Sequence, residues 1–303
     1  MDRLEAMAIL LAVVETGSFS GASRKLRVPL PTVSRKVSDL ETHLKAQLLI
    51  RSTRKLTLTG AGADYIAASK RILEQVNDAE SALAGEFVAA RGELVVTAPM
   101  MFGRLHVLPA VNAFLEAFPD VNIRLVLSDR NVDLIDDQVD LAVRIGALPN
   151  SSLVATRVGT VRRVVCGSPA YFAGHGVPKK LDDLSRHAAI TFDMMGSAAF
   201  WDFTLPGATR AQSVPVRSRL AVNSAEAAVD AAIAGVGVTR VLFYQSAQAV
   251  KEKRLETVLA QFEPAPIPVN LIHAGQSLQP LKMRVFLDFV VPRLRERIAK
   301  LEK

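Results

Sequence analysis

The stretch that decides the fold of the N-terminal region is residues 29–44, PLPTVSRKVSDLETHL. Its apolar side chains recur at spacings of four, three and four residues, at Val33, Val37, Leu40 and Leu44. This spacing predicts an amphipathic helix that begins near Pro31, since proline is tolerated in a first helical turn. The opposite face of that helix carries Pro31, Ser34, Arg35, Ser38 and Thr42.

Two shorter helices are predicted upstream. Asp2 and Glu5 have the spacing of a capping box, and apolar residues follow at helical intervals until Gly17. Ser18 or Ser20 begins a second helix, which ends before Pro29 because the residue that precedes a proline avoids the helical conformation. A short helix, a tight turn and an amphipathic helix form a helix-turn-helix pattern, whose second helix enters the major groove. An ordinary three-helix surface is the alternative.

The residues after the third helix predict a basic hairpin. Leu56 and Leu58 alternate with threonines as in a strand, and Arg51-Ser52-Thr53-Arg54-Lys55 forms a basic tip beside it. This arrangement resembles the wing of a winged helix, with Arg51 and Arg54 placed to reach the DNA backbone or minor groove. Residues 1–60 hold ten Lys and Arg against five Asp and Glu, which fits a head that binds a polyanion. The alternative is an ordinary solvated surface.

Side-chain chemistry favours DNA as the partner of this head. Arg35 can bind guanine or phosphate bidentately, whereas Asp39 and Glu41 would repel phosphate, so the N-terminal half of the third helix is expected to read bases. The residues expected to contact DNA are Ser20, Ser23, Leu30, Pro31, Thr32, Ser34, Arg35, Ser38, Arg51, Thr53 and Arg54.

Three segments carry a specific family resemblance: residues 9–20, ILLAVVETGSFS, residues 32–41, TVSRKVSDLE, and residues 51–59, RSTRKLTLT. They resemble LysR-type transcriptional regulators. The chain departs from the common family pattern where Pro29 and Leu30 replace a capping Ser or Thr followed by Gln, where Lys45 replaces Gly, and where Gly60 replaces Glu. Leu30 cannot make the bidentate adenine contact of Gln, so reading there reduces to an apolar contact such as a thymine methyl, and the operator sequence does not carry over from relatives.

A heptad seam follows the head. Residues 62–90 contain no proline, and Tyr65, Ser69, Ile72, Val76, Ala79 and Leu83 step alternately by four and three. This pattern predicts a two-stranded coiled coil through Tyr65, Ile72, Val76 and Leu83, and the alternative is a helix that packs on its own chain. The resemblance implies that such regulators pair through this helix.

Strand-like and helical runs alternate in residues 91–303, which indicates a parallel or mixed α/β sheet. The predicted strands are 93–97, 121–127, 140–145, 161–167, 236–242 and 267–273, and the predicted helices are 105–118, 224–234 and 280–301. The resemblance implies an α/β two-lobed effector domain of the type 2 periplasmic-binding-protein kind, with its ligand in the cleft. The expected organisation is therefore multi-domain: an all-α winged helix-turn-helix head in residues 1–60, a linker and dimerisation helix in 61–90, and an effector-binding domain in 91–303. Its first lobe covers about 91–161 plus 267–303 and its second about 162–266.

Several features of this region suit a small anionic ligand. Residues 97–103, TAPMMFG, lead from a strand into a helix whose free amides attract an anion, and Asn223-Ser224 begin a second such helix; plain capping is the alternative for both. Arg144 ends a strand and can bind a carboxylate, or can pair with Asp129, Asp133 or Asp140. Phe200-Trp201 and Met194-Met195 form an apolar wall or, alternatively, core. The residues expected to contact the effector are Pro99, Met100, Met101, Phe102, Gly103, Ser128, Arg144, Phe200, Trp201, Asn223 and Ser224.

No catalytic motif is present, so we expect no enzyme, no metal site and no cofactor. The segment 17–21, GSFSG, has Phe19 at the nucleophile position, Gly60-Ala61-Gly62 lacks a third glycine, and the five His are scattered. The single Cys166 excludes a disulfide within the chain and fits a reducing compartment. The N-terminal apolar run is interrupted by charges and no stretch reaches the length of a membrane span, so a cytoplasmic protein with no membrane association is expected.

The expected partners are double-stranded DNA with an inverted-repeat operator, a small-molecule effector, one or three further copies of the chain, and RNA polymerase. Three alternatives belong to other classes: a solute-binding protein, a small-molecule enzyme, and an architectural DNA-binding protein without an effector. The formal net charge of +7 fits a negatively charged partner such as DNA but does not identify it. Activation or repression, and a dimer or a tetramer, stay open.

Overall fold

The structure is a computed structural model of the 303-residue chain. It describes residues 1–51, 56–84, 90–130, 134, 137, 139–148, 153–192, 200–205, 211–275 and 279–301. The chain forms two compact units, Met1–Ala89 and Ala90–Lys303.

The first unit is a small helical domain with a two-stranded sheet. In chain order it contains α1 (Arg3–Thr16), α2 (Phe19–Leu26), α3 (Leu30–Leu44), β1 (Leu49–Arg51), β2 (Leu56–Leu58) and α4 (Gly60–Ala84). The strands β1 and β2 are antiparallel, and Arg51 pairs with Leu56. The winged helix-turn-helix predicted from the sequence is confirmed.

Local capping explains where the first helices begin and end. The Asp2 carboxylate accepts hydrogen bonds from the Leu4 and Glu5 amides at 3.0 and 3.2 Å, and Gly17 ends α1 with φ +68°. Ser18, rather than Ser20, caps α2 by accepting from the Gly21 amide at 3.0 Å. The helix α3 begins at Leu30, one residue before the expected proline.

The core of the first unit lies between α1, α2 and α3. Val33, Val37 and Leu40 have no exposed surface, and they join a cluster with Leu10 and Val13 of α1. These contacts set the rotation of α3 about its axis, because a helix that buries one stripe of residues turns the opposite stripe to solvent.

The long helix α4 begins against this core. Ile66 and Ser69 are buried, Tyr65 packs against the cluster, and α4 contacts α1. Further along, Ile72 is exposed and Val76 is half-buried, while the side chains of Ala79 and Leu83 lie outside the described residues. The heptad seam therefore divides: its first two positions pack on their own head, and Ile72 remains available for a second helix.

The second unit is an α/β structure. In chain order it contains β3 (Gly92–Ala98), α5 (Met100–Phe102), a π-helical segment (Gly103–Val107), α6 (Leu108–Ala117), β4 (Val121–Leu127), β5 (Leu141–Ile145), β6 (Leu153–Val161), β7 (Arg163–Gly167), α7 (Pro169–His175), a 3-10 helix (Leu181–Arg186), β8 (Ala188–Phe192), β9 (Phe200–Thr204), β10 (Ala211–Pro215), β11 (Arg217–Val222), α8 (Ala225–Ile233), β12 (Val238–Leu242), α9 (Phe243–Lys251), β13 (Glu256–Val258), a second 3-10 helix (Ala260–Phe262), β14 (Ile267–Ala274) and α10 (Leu281–Ala299).

Two five-stranded sheets organise this unit into two lobes. The first has the order β4-β3-β5-β14-β6, and the second has the order β11-β8-β12-β7-β13. Within the first sheet β3 is parallel to β4 and β5, whereas β14 is antiparallel to both of its neighbours. The second sheet repeats this plan, with β8 parallel to β11 and β12 and with β7 antiparallel to its neighbours. The two-lobed α/β fold expected from the sequence is confirmed.

The chain passes between the lobes twice. The predicted strand 161–167 is in fact the end of β6, the crossover residue Arg162 and the strand β7. The return passes through Glu263 before β14, and Arg162 binds the Glu263 carboxylate at 3.0 Å while its guanidinium lies 4.7 Å from the centroid of the Phe243 ring. The two crossovers are thus tied together by one ion pair.

Candidate DNA-binding surface and ligand cavity

The outward face of α3 presents the side chains that the helical spacing predicts. Pro31, Arg35 and Ser38 are exposed, while Thr32 and Ser34 are half-buried. Leu30 is 45% exposed although it is apolar, at the N-terminal end of this helix. An exposed leucine beside an exposed guanidinium suits a groove in which a thymine methyl lies next to a guanine or a phosphate.

Two charged residues of α3 have roles inside the head. Lys36 forms an ion pair with Glu5 of α1. Of the two adjacent basic residues, Arg35 is therefore the one that faces solvent. Glu41 accepts hydrogen bonds from the Leu48 and Leu49 amides at 2.8 and 3.1 Å, so it fastens β1 to α3. The sequence interpretation assigned Glu41 only a repulsion from phosphate. Its partners, seven and eight residues away, lie immediately before and at the start of β1, and no periodicity in the sequence marks this contact.

The remaining residues expected to contact DNA fall into three groups. Ser20 is exposed on α2. The Ser23 hydroxyl donates to the Val28 carbonyl at 2.6 Å, so it closes the turn between α2 and α3, and its contact with DNA stays a prediction. Arg51 belongs to β1 rather than to the tip, and its side chain, together with Thr53 and Arg54, lies outside the described residues.

The αL conformation at Lys45 bears on one departure from the family pattern. Lys45 ends α3 with φ +52°, and its amide donates to the Glu41 and Thr42 carbonyls. Glycine adopts this conformation without steric cost, which explains the preference for glycine at such a position. A lysine there is strained but exposed, and it adds a positive charge beside the end of α3.

The second unit contains a cavity of 490 Å³. On the first-lobe side, the cavity is lined by the ends of β3 and β5, the segments that follow β3, β4 and β5, and the start of β14. The residues are Thr97, Ala98, Pro99, Ser128, Asp129, Arg130, Val143, Arg144, Ile145, Gly146, Ala147 and Ile267. The second lobe supplies Arg163, Leu242, Tyr244 and Gln245. Because β3, β4 and β5 are parallel, their carboxyl ends meet at one edge, and ligands of open α/β sheets bind at such edges.

Pro99, Ser128 and Arg144 are the expected effector residues that line this cavity. Arg144 lies on β5 with its side chain half-buried. Of its three suggested carboxylate partners, Asp140 accepts the Val95 amide at 2.7 Å, Asp129 accepts the Met100 amide at 2.9 Å, and Asp133 lies outside the described residues.

The hydrogen bond from Met100 to Asp129 changes the expected role of the first helix start. The sequence interpretation assigned free amides to residues 97–103, but the Met100 amide already has a carboxylate partner from the loop after β4. A ligand anion would have to compete with Asp129 there. This partner comes from a loop 29 residues away, so the local sequence does not reveal it.

The other expected residues of this helix pack inside the first lobe. Phe102 has no exposed surface, and its ring centroid lies 4.9 Å from that of His106 and 5.3 Å from that of Tyr244. A Cβ atom at Gly103 would lie 2.2 Å from Leu127, so glycine allows the helix to approach β4. Met100 is exposed and Met101 packs against the core, and neither lines the cavity. Phe102 and Gly103 thus occupy buried positions outside the cavity lining, and their contact with a ligand stays a prediction.

The second-lobe residues expected at the ligand have other surroundings. Trp201 is 6% exposed in a core with Phe203 and Val214, which is the alternative that the sequence left open, whereas Phe200 is 59% exposed. The Ser224 hydroxyl accepts from the Ala227 amide at 3.4 Å and caps α8, beside an exposed Asn223. None of the four expected residues, Phe200, Trp201, Asn223 and Ser224, lines the cavity. Met194 and Met195 lie outside the described residues.

Sequence reasoning missed the second-lobe residues Arg163, Tyr244 and Gln245. Tyr244 is buried, and its ring meets those of Phe102 and His106 edge-on. Burial raises the pKa of the Tyr244 hydroxyl, and the negative charge of Asp129 raises it further. Burial lowers the pKa of His106 to about 4, so its imidazole is neutral at pH 7, and neither ring nitrogen has a hydrogen-bond partner among the described residues.

The single cysteine is expected to be unreactive in the folded protein. Cys166 has no exposed surface, and burial raises the pKa of its thiol to about 12, so almost no thiolate forms near pH 8. We expect labelling of the native chain by an aromatic disulfide reagent to be at least about 100-fold slower than labelling after denaturation. Rapid, complete labelling of the native protein, followed by absorbance, would contradict this placement of Cys166 on β7.

The described residues contain no group of three or more His, Cys, Asp or Glu side chains that could hold a metal ion. No single helix among them has the length and apolar character needed to cross a membrane, although α1 and α2 together, bent by 118° at the break between them, have that length and apolar character.

Two family models match the chain. Residues 4–63 match the model described as bacterial regulatory helix-turn-helix protein, lysR family, and residues 89–295 match the LysR substrate binding domain. The second match alone covers more than half of the chain.

Similar proteins of known name match over nearly the whole length. A helix-turn-helix-type transcriptional regulator of Xanthomonas campestris is 34% identical over 94% of this chain and 84% of its own. The transcriptional activator AaeR of Escherichia coli is 31% identical over 95% of this chain and 93% of its own. Among solved structures, CrgA, a LysR-type transcriptional regulator from Neisseria meningitidis, is 31% identical over 96% of this chain and 98% of that one, with a TM-score of 0.61.

Proposed function

Because the chain belongs to the LysR family of bacterial transcriptional regulators, we propose that it is a sequence-specific DNA-binding protein whose activity responds to a small anionic effector in the cavity of the second unit. Members of this family bind DNA and small-molecule effectors and form oligomers, and the family is one of regulators rather than enzymes. We further propose a cytoplasmic homo-oligomer on an inverted-repeat operator, since paired heads mirror a two-fold site. RNA polymerase is its proposed partner in transcription.

The observation that carries the anionic effector is the charge of the cavity lining. Among the described residues, three guanidinium groups, those of Arg130, Arg144 and Arg163, line it together with one carboxylate, that of Asp129. A guanidinium binds a carboxylate bidentately, and a partly enclosed site strengthens that interaction. The ligand would act by population shift, so it must bind one arrangement of the two lobes better than another.

Selection of bound fragments from sheared genomic DNA tests the regulatory part. Purified full-length protein is incubated with the fragments at moderate salt, and the recovered DNA is sequenced. Enrichment of a few inverted-repeat sites is the expected result. Uniform recovery would support instead an architectural protein that binds by charge alone, because phosphate contacts carry no sequence information.

Replacing Arg144 with alanine tests the ligand-sensing part. We expect Arg144→Ala to remove the response to the effector and to leave operator binding within about 2-fold, because Arg144 lies in the second unit, outside the DNA-binding head. Arg284→Ala, which removes an exposed arginine of α10, is the matched control and should retain the full response. Ligand-induced thermal stabilisation is the measurement, and an undiminished shift in Arg144→Ala would exclude the proposed role.

A further inference from the structure

The two lobes contribute cationic side chains to the same cavity. Arg130 follows β4 and Arg144 lies on β5, both in the first lobe, whereas Arg163 begins β7 in the second lobe. Among the described lining residues the carboxylate is that of Asp129, which already accepts the Met100 amide. The guanidinium groups that face the cavity therefore come from both lobes. A ligand with a carboxylate at each end could engage one guanidinium group of each lobe.

Arg163 differs from its neighbour Arg240 in what it contacts. The strands β7 and β12 are antiparallel, with Arg163 opposite Leu242 and Arg240 opposite Val165, so both arginines lie on one face of the second sheet. Arg240 is committed to the hairpin of β9 and β10, because it donates to the Asp202 carbonyl and lies 5.0 Å from the centroid of the Phe203 ring. Arg163 instead borders the cavity.

The surroundings of Arg163 favour an added anion. Burial lowers the pKa of its guanidinium, and the charge of Asp202 offsets only part of that effect. The side chain of Asp202 is shared, since its carboxylate also accepts from the Ser213 hydroxyl and its charge also acts on Arg240. A partly desolvated cation gains most from a directly bound carboxylate, which restores the interaction that water would have supplied.

Extending the anionic-effector function proposed above, on which this inference rests, we propose that the effector is a small dicarboxylate that bridges the lobes, with one carboxylate on Arg144 and the other on Arg163. The middle of such a ligand would lie along the apolar part of the lining, which includes Val143, Ile145, Leu242 and Ile267. A cavity of 490 Å³ lies in the range of small-molecule sites. Bridging supplies the differential affinity that lobe closure requires, because a closed arrangement engages both guanidinium groups and an open one engages a single guanidinium.

A matched series of acids tests the bridge on the full-length protein. Titration calorimetry compares unbranched dicarboxylates of four to eight carbon atoms, and the benzene dicarboxylates, with the monocarboxylate of each skeleton. We expect at least one dicarboxylate to bind at least about 10-fold more tightly than its monocarboxylate, since a hydrogen-bonded charge pair contributes at this level. Arg163→Gln should weaken the binding of that dicarboxylate by about 10- to 100-fold and should change the affinity for the monocarboxylate by less than about 3-fold.

Two further variants separate charge from folding. Arg163→Lys keeps a positive charge and should retain part of the preference for the dicarboxylate, so a folding defect in Arg163→Gln alone would not decide the outcome. Arg186→Gln removes an exposed arginine of the second lobe and should bind every acid as the unmodified chain does.

The outcomes distinguish the two proposals. Equal affinity for each dicarboxylate and its monocarboxylate, or an unchanged preference in Arg163→Gln, overturns the bridge and leaves an anionic effector on Arg144. Binding of none of the acids overturns both the bridge and the anionic effector. A dicarboxylate preference that Arg163→Gln removes and Arg186→Gln retains supports the bridge.

Discussion

Replacing Gly62 with alanine is expected to abolish operator binding by unfolding or distorting the head. A Cβ atom at Gly62 would lie 2.1 Å from the Leu48 carbonyl oxygen and 2.9 Å from its carbonyl carbon, both of them backbone atoms. Contacts this short cannot be relieved by turning a side chain. The start of α4 would have to move away from the segment before β1, or that segment would have to move.

The segment around Leu48 cannot move without further loss, because hydrogen bonds hold it from two sides. Glu41 of α3 accepts from its amide at 2.8 Å, and the Thr59 amide donates to its carbonyl at 3.0 Å. Thr59 in turn caps α4 by accepting from the Gly62 amide at 2.9 Å. We expect a cost of about 3 kcal/mol, at the upper end for overpacking because the clash is with backbone atoms, and this is a large part of the stability of a small domain.

Gly60→Ala is the matched control for this prediction. Gly60 lies in the same first turn of α4, and a Cβ atom there would meet nothing within 4 Å. Alanine at this position should leave operator affinity within about 2-fold and should not lower stability, since alanine favours helix relative to glycine. Urea unfolding followed by circular dichroism, with operator binding measured in parallel, compares the two variants. Equal midpoints would contradict the close contact between Gly62 and Leu48.

Replacing Arg35 with alanine is expected to lower the ratio of specific to nonspecific DNA affinity by about 10- to 100-fold, because one bidentate base contact contributes about 1–3 kcal/mol. Arg35 is exposed on the face of α3 opposite the buried residues Val33, Val37 and Leu40, so its loss should not disturb the core. Unchanged thermal unfolding would verify that. The binding measurement uses an operator fragment and a scrambled fragment at several salt concentrations.

Two comparison variants give the Arg35 result its meaning. Arg186→Ala removes one positive charge from the second unit and should leave the affinity ratio unchanged. Arg54→Ala, whose residue lies outside the described part of the chain, is expected from the sequence to weaken all DNA similarly and to flatten the salt slope by about one unit. The reverse pattern, with Arg54 controlling the ratio and Arg35 the salt slope, would refute both assignments.

The head illustrates how far local pattern reaches. The cap at Asp2, the end of α1 at Gly17 and the buried stripe of α3 all depend on interactions within a few residues, so spacing was sufficient to predict them. For the cap of α2 the sequence offered Ser18 or Ser20, and the structure selects Ser18. Contacts between distant residues had no such signal. The ion pair of Glu5 with Lys36 joins residues 31 apart, and the bonds of Glu41 cross a loop.

The second unit shows a different limit. Its parallel strands β3 and β4 were predicted, because β3 is a mostly buried apolar run and β4 alternates apolar with polar residues at its start, and both patterns are recognisable in a sequence. The strands β8 to β11 and β13, the helices α7 and α9, and all of β6 except Val161 were not predicted. Most of these elements are short, and β6, β10 and β11 have few buried side chains, so their hydrophobic patterns are weak.

The family resemblance, the division into a basic head and an α/β body, and the outward position of Arg35 all followed from sequence, because each depends on local motif or periodicity. The composition of the cavity required the tertiary structure. Arg144 and Arg163 lie on different sheets, and Tyr244 reaches the same space from α9. Their meeting is set by strand order and by two crossovers between lobes, and neither is encoded in the spacing of residues along the chain.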